Sequence, residues 1–144
     1  MRVVIDTNVF ISSLLNPAGN PRKVIDLWRL EKIALCLSKE IVKEYFAVLG
    51  RMGMAGEPEG AQLVQLFETR YNQAFVASRP PIDAIAEDPA DDKFISCAVA
   101  AGAKYIVSGD RHLLDLKTYR GIRILPPADF LKLKVFRQGR GGAR

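Results

Sequence analysis

At 144 residues, 49% hydrophobic and 26% charged, the chain is sized for one domain and excludes a disordered protein. No apolar run approaches the ~18 residues of a membrane helix, and the N-terminus lacks a signal-peptide layout, so a soluble cytoplasmic protein is expected. The net charge is +5, and residues 132–144 carry all of it through Lys132, Lys134, Arg137, Arg140 and Arg144.

Val3, Val4 and Ile5 form a β-branched run that suits a strand buried on both faces. Asp6-Thr7-Asn8 ends it and opens a short helix over 8–15. By itself, Asp6 reads more readily as a helix cap than as a catalytic group. After the loop at 17–21, Asn20 with Pro21 reads as a helix start. Val24, Leu27, Trp28 and Leu30 follow at helical spacing, with Trp28 as a core anchor. Residues 33–37 are a second strand. Ser38 caps a helix with an apolar stripe of Ile41, Tyr45, Val48 and Leu49, and Glu44 falls on or beside that stripe. A carboxylate there is costly unless it is paired or binds metal.

Residues 50–60 read as a linker, 61–75 as an amphipathic helix and 75–78 as a short third strand. An acidic turn over 87–93 leads into a helix ending at Gly102, with Asp92 at the head of its buried stripe. The helix dipole explains one acid in a first turn, but Asp88, Asp91 and Asp92 are three. Residues 104–108 form a fourth strand, and Gly109-Asp110 ends it, repeating the Asp6 arrangement. A fifth strand at 122–125 and a short helix at 126–133 complete the pattern. Cys36 and Cys97 sit in apolar segments and read as buried free thiols. A lone His112 cannot build a histidine metal site. Residues 1–131 thus read as one domain. Residues 132–144 read as a flexible basic tail, either a solubilising appendage or a phosphate-contacting arm through Arg137, Arg140 and Arg144.

Strands alternating with helices predict an α/β fold with a parallel sheet covered on both faces. Such a sheet would bring Asp6, Glu44, Asp92 and Asp110 to one edge. Four clustered carboxylates need cations, and oxygen-only ligands select Mg²⁺ or Mn²⁺. Metal-dependent phosphodiester hydrolysis is the matching reaction class.

Val4-Ile-Asp6-Thr-Asn8-Val-Phe, the acid at 44, Asp91-Asp92-Lys-Phe-Ile and Ser108-Gly-Asp110-Arg-His-Leu-Leu114 together resemble the PIN-domain family over about residues 1–130. They are particularly similar to its bacterial and archaeal toxins of toxin–antitoxin pairs, the VapC-type toxins. The resemblance implies a three-layer α/β/α sandwich with a central parallel five-stranded sheet. It implies a Mg²⁺- or Mn²⁺-dependent endoribonuclease that forms homodimers and meets a cognate antitoxin. By position, Asp6, Glu44 and Asp92 would be the metal ligands and Asp110 the fourth catalytic acid, while Asn8 and Ser108 would orient the acids. Two other readings share the fold: a housekeeping RNA-processing nuclease, and a non-catalytic RNA- or protein-binding module.

Overall fold

Val3, Val4 and Ile5 are fully buried. Consecutive strand residues point to opposite faces, so β1 (Arg2–Ile5) is covered on both sides and lies inside the sheet. The computed structural model describes residues 1–77 and 92–136. In these, β1 is followed by α1 (Thr7–Leu15), α2 (Asn20–Arg29), β2 (Ala34–Ser38), α3 (Lys39–Arg51), α4 (Pro58–Glu68) and β3 (Gln73–Val76). The second half holds α5 (Asp92–Ala101), β4 (Tyr105–Val107), α6 (Arg111–Leu116), β5 (Thr118–Tyr119), β6 (Ile122–Leu125) and α7 (Pro127–Leu131).

The sheet order is β3-β2-β1-β4-β6-β5. Every neighbouring pair is parallel except β5 with β6. The chain lays β2 and β3 on one side of β1 and then crosses to place β4 and β6 on the other. The crevice at the carboxyl ends of β1 and β4 is therefore the switch point where open α/β sheets bind ligands. Helix α5 packs across β1, β2, β3 and β4, while α1 packs on α2 and α3.

The class is the expected one, an α/β fold with a mostly parallel sheet flanked by helices, but the described residues hold six strands rather than five. The extra strand, β5, turns back antiparallel onto β6 through Arg120 and Gly121, both at positive φ (51° and 82°). Two consecutive residues in that region make the tight turn whose twist suits a hairpin. Helix α4 also departs from the expected 61–75. Its N-terminus lies earlier, with Pro58 in its first turn, and it stops at Glu68. Arg70 and Asn72 then take left-handed backbone (φ 59° and 46°), which reverses the chain into β3. The side chain of Asn72 secures that reversal by donating to Trp28 O (2.9 Å) and Ile33 O (2.8 Å). Gly60 is required in α4, because a Cβ there would lie 1.9 Å from Met54 O. Helix α2 is capped by Gly19, one residue earlier than expected, without a side-chain bond.

Trp28 is fully buried and anchors an aromatic cluster with Phe10, Phe67 and Tyr71; Tyr45 joins it through Phe10 and Phe67. Both cysteines are buried and free, and burial pushes the thiols up to about 11 for Cys36 and about 12 for Cys97. After α7, Leu133 and Phe136 pack against the core, Phe136 with its ring 5.2 Å from that of Phe130. Arg137, Arg140 and Arg144 lie outside the described residues, as do Ser78, Asp88 and Asp91.

Candidate active site

Asp6 follows β1 directly and caps α1. Its Oδ1 accepts from the backbone N–H groups of Asn8 (2.8 Å) and Val9 (3.3 Å), and its Oδ2 accepts from the Ser108 hydroxyl. Asp110 follows β4 after Ser108 and Gly109 and caps α6, accepting from His112 N at 2.7 Å. Its own N–H donates to Ser108 Oγ at 2.9 Å. One buried hydroxyl therefore links the two strand ends, donating to one aspartate and accepting from the backbone of the other. The Asp6 carboxyl is held above the usual aspartate range. Burial is the main cause and the charge of Asp110 adds to it, against the lowering effect of the Ser108 and backbone bonds.

Glu44 arrives from α3. That helix is seated by its next residue, buried Tyr45, whose hydroxyl donates to Ile5 O at the end of β1. Burial raises the Tyr45 phenol, so it remains a donor. The Glu44 carboxylate has two partners. Thr7 donates its hydroxyl to Oε2, and Lys93 on α5 places its ammonium 2.8 Å from Oε1. Asp6, Thr7, Asn8, Glu44, Val48, Arg51, Phe94 and Asp110 line a cleft of about 290 Å³.

Three of the four acids anticipated from the sequence thus share one cleft lining. Asp92 is half-buried at the first residue of α5, two residues before Phe94, which lines the cleft. Asn8 is exposed and meets Asp6 through its backbone N–H. Thr7, Lys93 and Arg51 carried no role in the sequence reading. A threonine between two polar residues at a strand end, and a lysine directly after an acidic run, were the available signals.

The chain belongs to the PIN-domain family, whose model matches residues 2–112. It is 36% identical over 122 residues to the uncharacterized protein MJ1680 of Methanocaldococcus jannaschii, covering 81% of this chain and 76% of that protein. Its fold is similar to the crystal structure of PAE2754 from Pyrobaculum aerophilum. The TM-score is 0.54 with 16% identity, over 94% of this chain and 90% of the other. The PIN domain is a nuclease-type fold, and its members generally use divalent metal ions.

The donor chemistry suits such an ion. The acids lining the cleft offer oxygen alone, and buried Asp6 bears a charge that neighbouring Asp110 disfavours. Among the described residues, however, no three acidic, histidine or cysteine side chains converge as they stand into a metal-holding group. Glu44 is turned to Lys93 and Thr7 instead. The residues that would hold the ion are Asp6, Glu44 and Asp110, with Asp92 at the head of α5. A divalent ion there would polarise a water and neutralise charge on a phosphodiester. Ser108 and the α1 N–H groups fix the orientation of Asp6, and Thr7 fixes that of Glu44.

Proposed function

We propose that this protein is a Mg²⁺- or Mn²⁺-dependent endoribonuclease that hydrolyses phosphodiester bonds of single-stranded or structured RNA and acts as the toxin of a toxin–antitoxin pair. The observation that carries this reading is the cleft at the β1–β4 switch point, lined by Asp6, Glu44 and Asp110 from three separate elements. Acids delivered by two strand ends and a helix to one crevice suit metal-assisted phosphoryl chemistry better than a purely structural role, because asparagine would cap α1 and α6 as well without setting the charge of Asp110 against that of buried Asp6. Asp6, Glu44, Asp92 and Asp110 are the proposed catalytic and metal-binding residues, with Ser108 and Asn8 orienting Asp6. A homodimer, a cytoplasmic location and a cognate antitoxin that covers the acidic cleft belong to the same reading, as do phosphate contacts from Arg137, Arg140 and Arg144.

The test is cleavage of an end-labelled single-stranded RNA in Mn²⁺, Mg²⁺ or EDTA by wild type and Asp6→Asn. Cleavage that requires metal and disappears in the variant is expected. Cleavage unaffected by the substitution would remove Asp6 from the chemistry. Growth arrest on expression, relieved by Asp6→Asn, is expected of a toxin. An active nuclease that leaves growth untouched would instead be an RNA-processing enzyme.

A further inference from the structure

Glu44 has two oxygens and two partners of opposite character. Lys93 presents a full positive charge 2.8 Å from Oε1, and its side chain is only 15% exposed. Thr7 presents a neutral hydroxyl to Oε2. A carboxylate oxygen has a second lone pair, so a hydroxyl donor on one oxygen leaves the other free for a cation. An ammonium shares its oxygen with a divalent ion only at a cost, because like charges at contact distance repel, although water reaches the 33%-exposed Glu44 side chain and screens part of that repulsion. The Phe94 ring offers the ammonium an alternative seat, its centroid 5.1 Å from Lys93 Nζ.

We propose that Lys93 is a built-in counter-cation that competes with the divalent ion for Glu44, while Thr7 holds the same carboxylate in place for that ion. The inference rests on the reading of Glu44 as a metal ligand. It accounts for a cleft whose acids do not converge among the described residues: the charge a metal would neutralise on Glu44 is already met from within the chain. Lys93 then sets a threshold cation concentration for loading the site, and its release on loading leaves a positive group at the cleft margin.

The two partners make opposite predictions, and a merely structural role for either would not. In calorimetric Mn²⁺ titration of the full chain, Lys93→Met tightens binding about three- to tenfold and Thr7→Val weakens it by a similar factor. Lys93→Gln repeats the first effect if the Met variant folds poorly. Thermal unfolding supplies a second readout. Lys93→Met melts lower than wild type without metal and gains more on adding Mn²⁺. In a Glu44→Gln background the Lys93 substitution no longer changes Mn²⁺ affinity. Unchanged or weaker Mn²⁺ binding by both Lys93 variants overturns the proposal while leaving the metal site intact. An effect that persists without Glu44 overturns it too, since the lysine would then act through general charge. Absence of Mn²⁺ binding by wild type and every variant removes the metal site itself, and the proposal with it.

Discussion

The β1–α1 and β4–α6 junctions follow one local plan, a short apolar strand ended by an aspartate that caps the next helix, yet they give their carboxylates different surroundings. Asp6 is 3% exposed, bonded through both oxygens, and held above the usual aspartate range by burial. Asp110 is half-buried and bonds a single backbone N–H of α6. The difference follows from how far each aspartate stands from its strand end. β1 and β4 are neighbours and equally buried, but Asp6 follows the last residue of β1 directly, whereas Asp110 lies further out, beyond Ser108 and the exposed Gly109. The same sequence signal thus yields one carboxylate that water does not screen and one that it does. Ser108 Oγ, bonded to both junctions, makes them one unit.

Activity should separate the junctions most sharply. Asp6→Asn is expected to lower metal-dependent RNA cleavage by at least ~100-fold and Asp110→Asn by about tenfold, measured as initial rates at saturating Mn²⁺. Equal losses would mean that burial of the carboxylate does not grade the two acids. Removing the shared hydroxyl comes next. Ser108→Ala leaves a buried carboxylate oxygen and the Asp110 N–H short of a partner, and is expected to cost ~1–3 kcal/mol in urea unfolding. Without metal, Asp6→Asn should raise the melting temperature by ~2–5 °C, since it deletes a buried charge while Oδ1 can still cap α1. The sign with pH follows. The folded state holds the Asp6 proton more tightly than the unfolded chain does. Its contribution is therefore most favourable below the ordinary aspartate value of ~4 and is lost as pH rises through the raised one. The gap between Asp6→Asn and wild type should accordingly narrow as pH is lowered toward 4. Asp110→Asn, a cap exchanged for an equally good cap in a half-buried place, should shift melting by only ~1 °C.

Both junctions were legible in the sequence because an apolar run that stops at aspartate combines two strong local signals, burial and helix capping. Glu44 was legible through helix phase, and the structure puts it at the margin of the stripe formed by Ile41, Tyr45 and Leu49. The pairing of Glu44 with Thr7 and Lys93 was not legible, since it joins residues from three elements that only the folded sheet brings together. The end of α4 escaped because Arg70 and Asn72 turn the chain where a glycine or proline would have announced it. β5 escaped because two residues carry no periodicity, although Arg120-Gly121 before the Ile122 strand was a usable hairpin cue.

That small hairpin also governs how the molecule behaves in company. An exposed strand edge is a template on which other chains can extend a sheet, and β6 would offer four residues of it. β5 occupies that edge and substitutes a margin only two residues long, bordered by Lys117 and Arg120. A stub of that length, ringed by positive charge, gives an incoming strand too few hydrogen bonds to hold. Sheet-mediated polymerisation is therefore discouraged on this flank, where an incoming strand finds its docking border already taken.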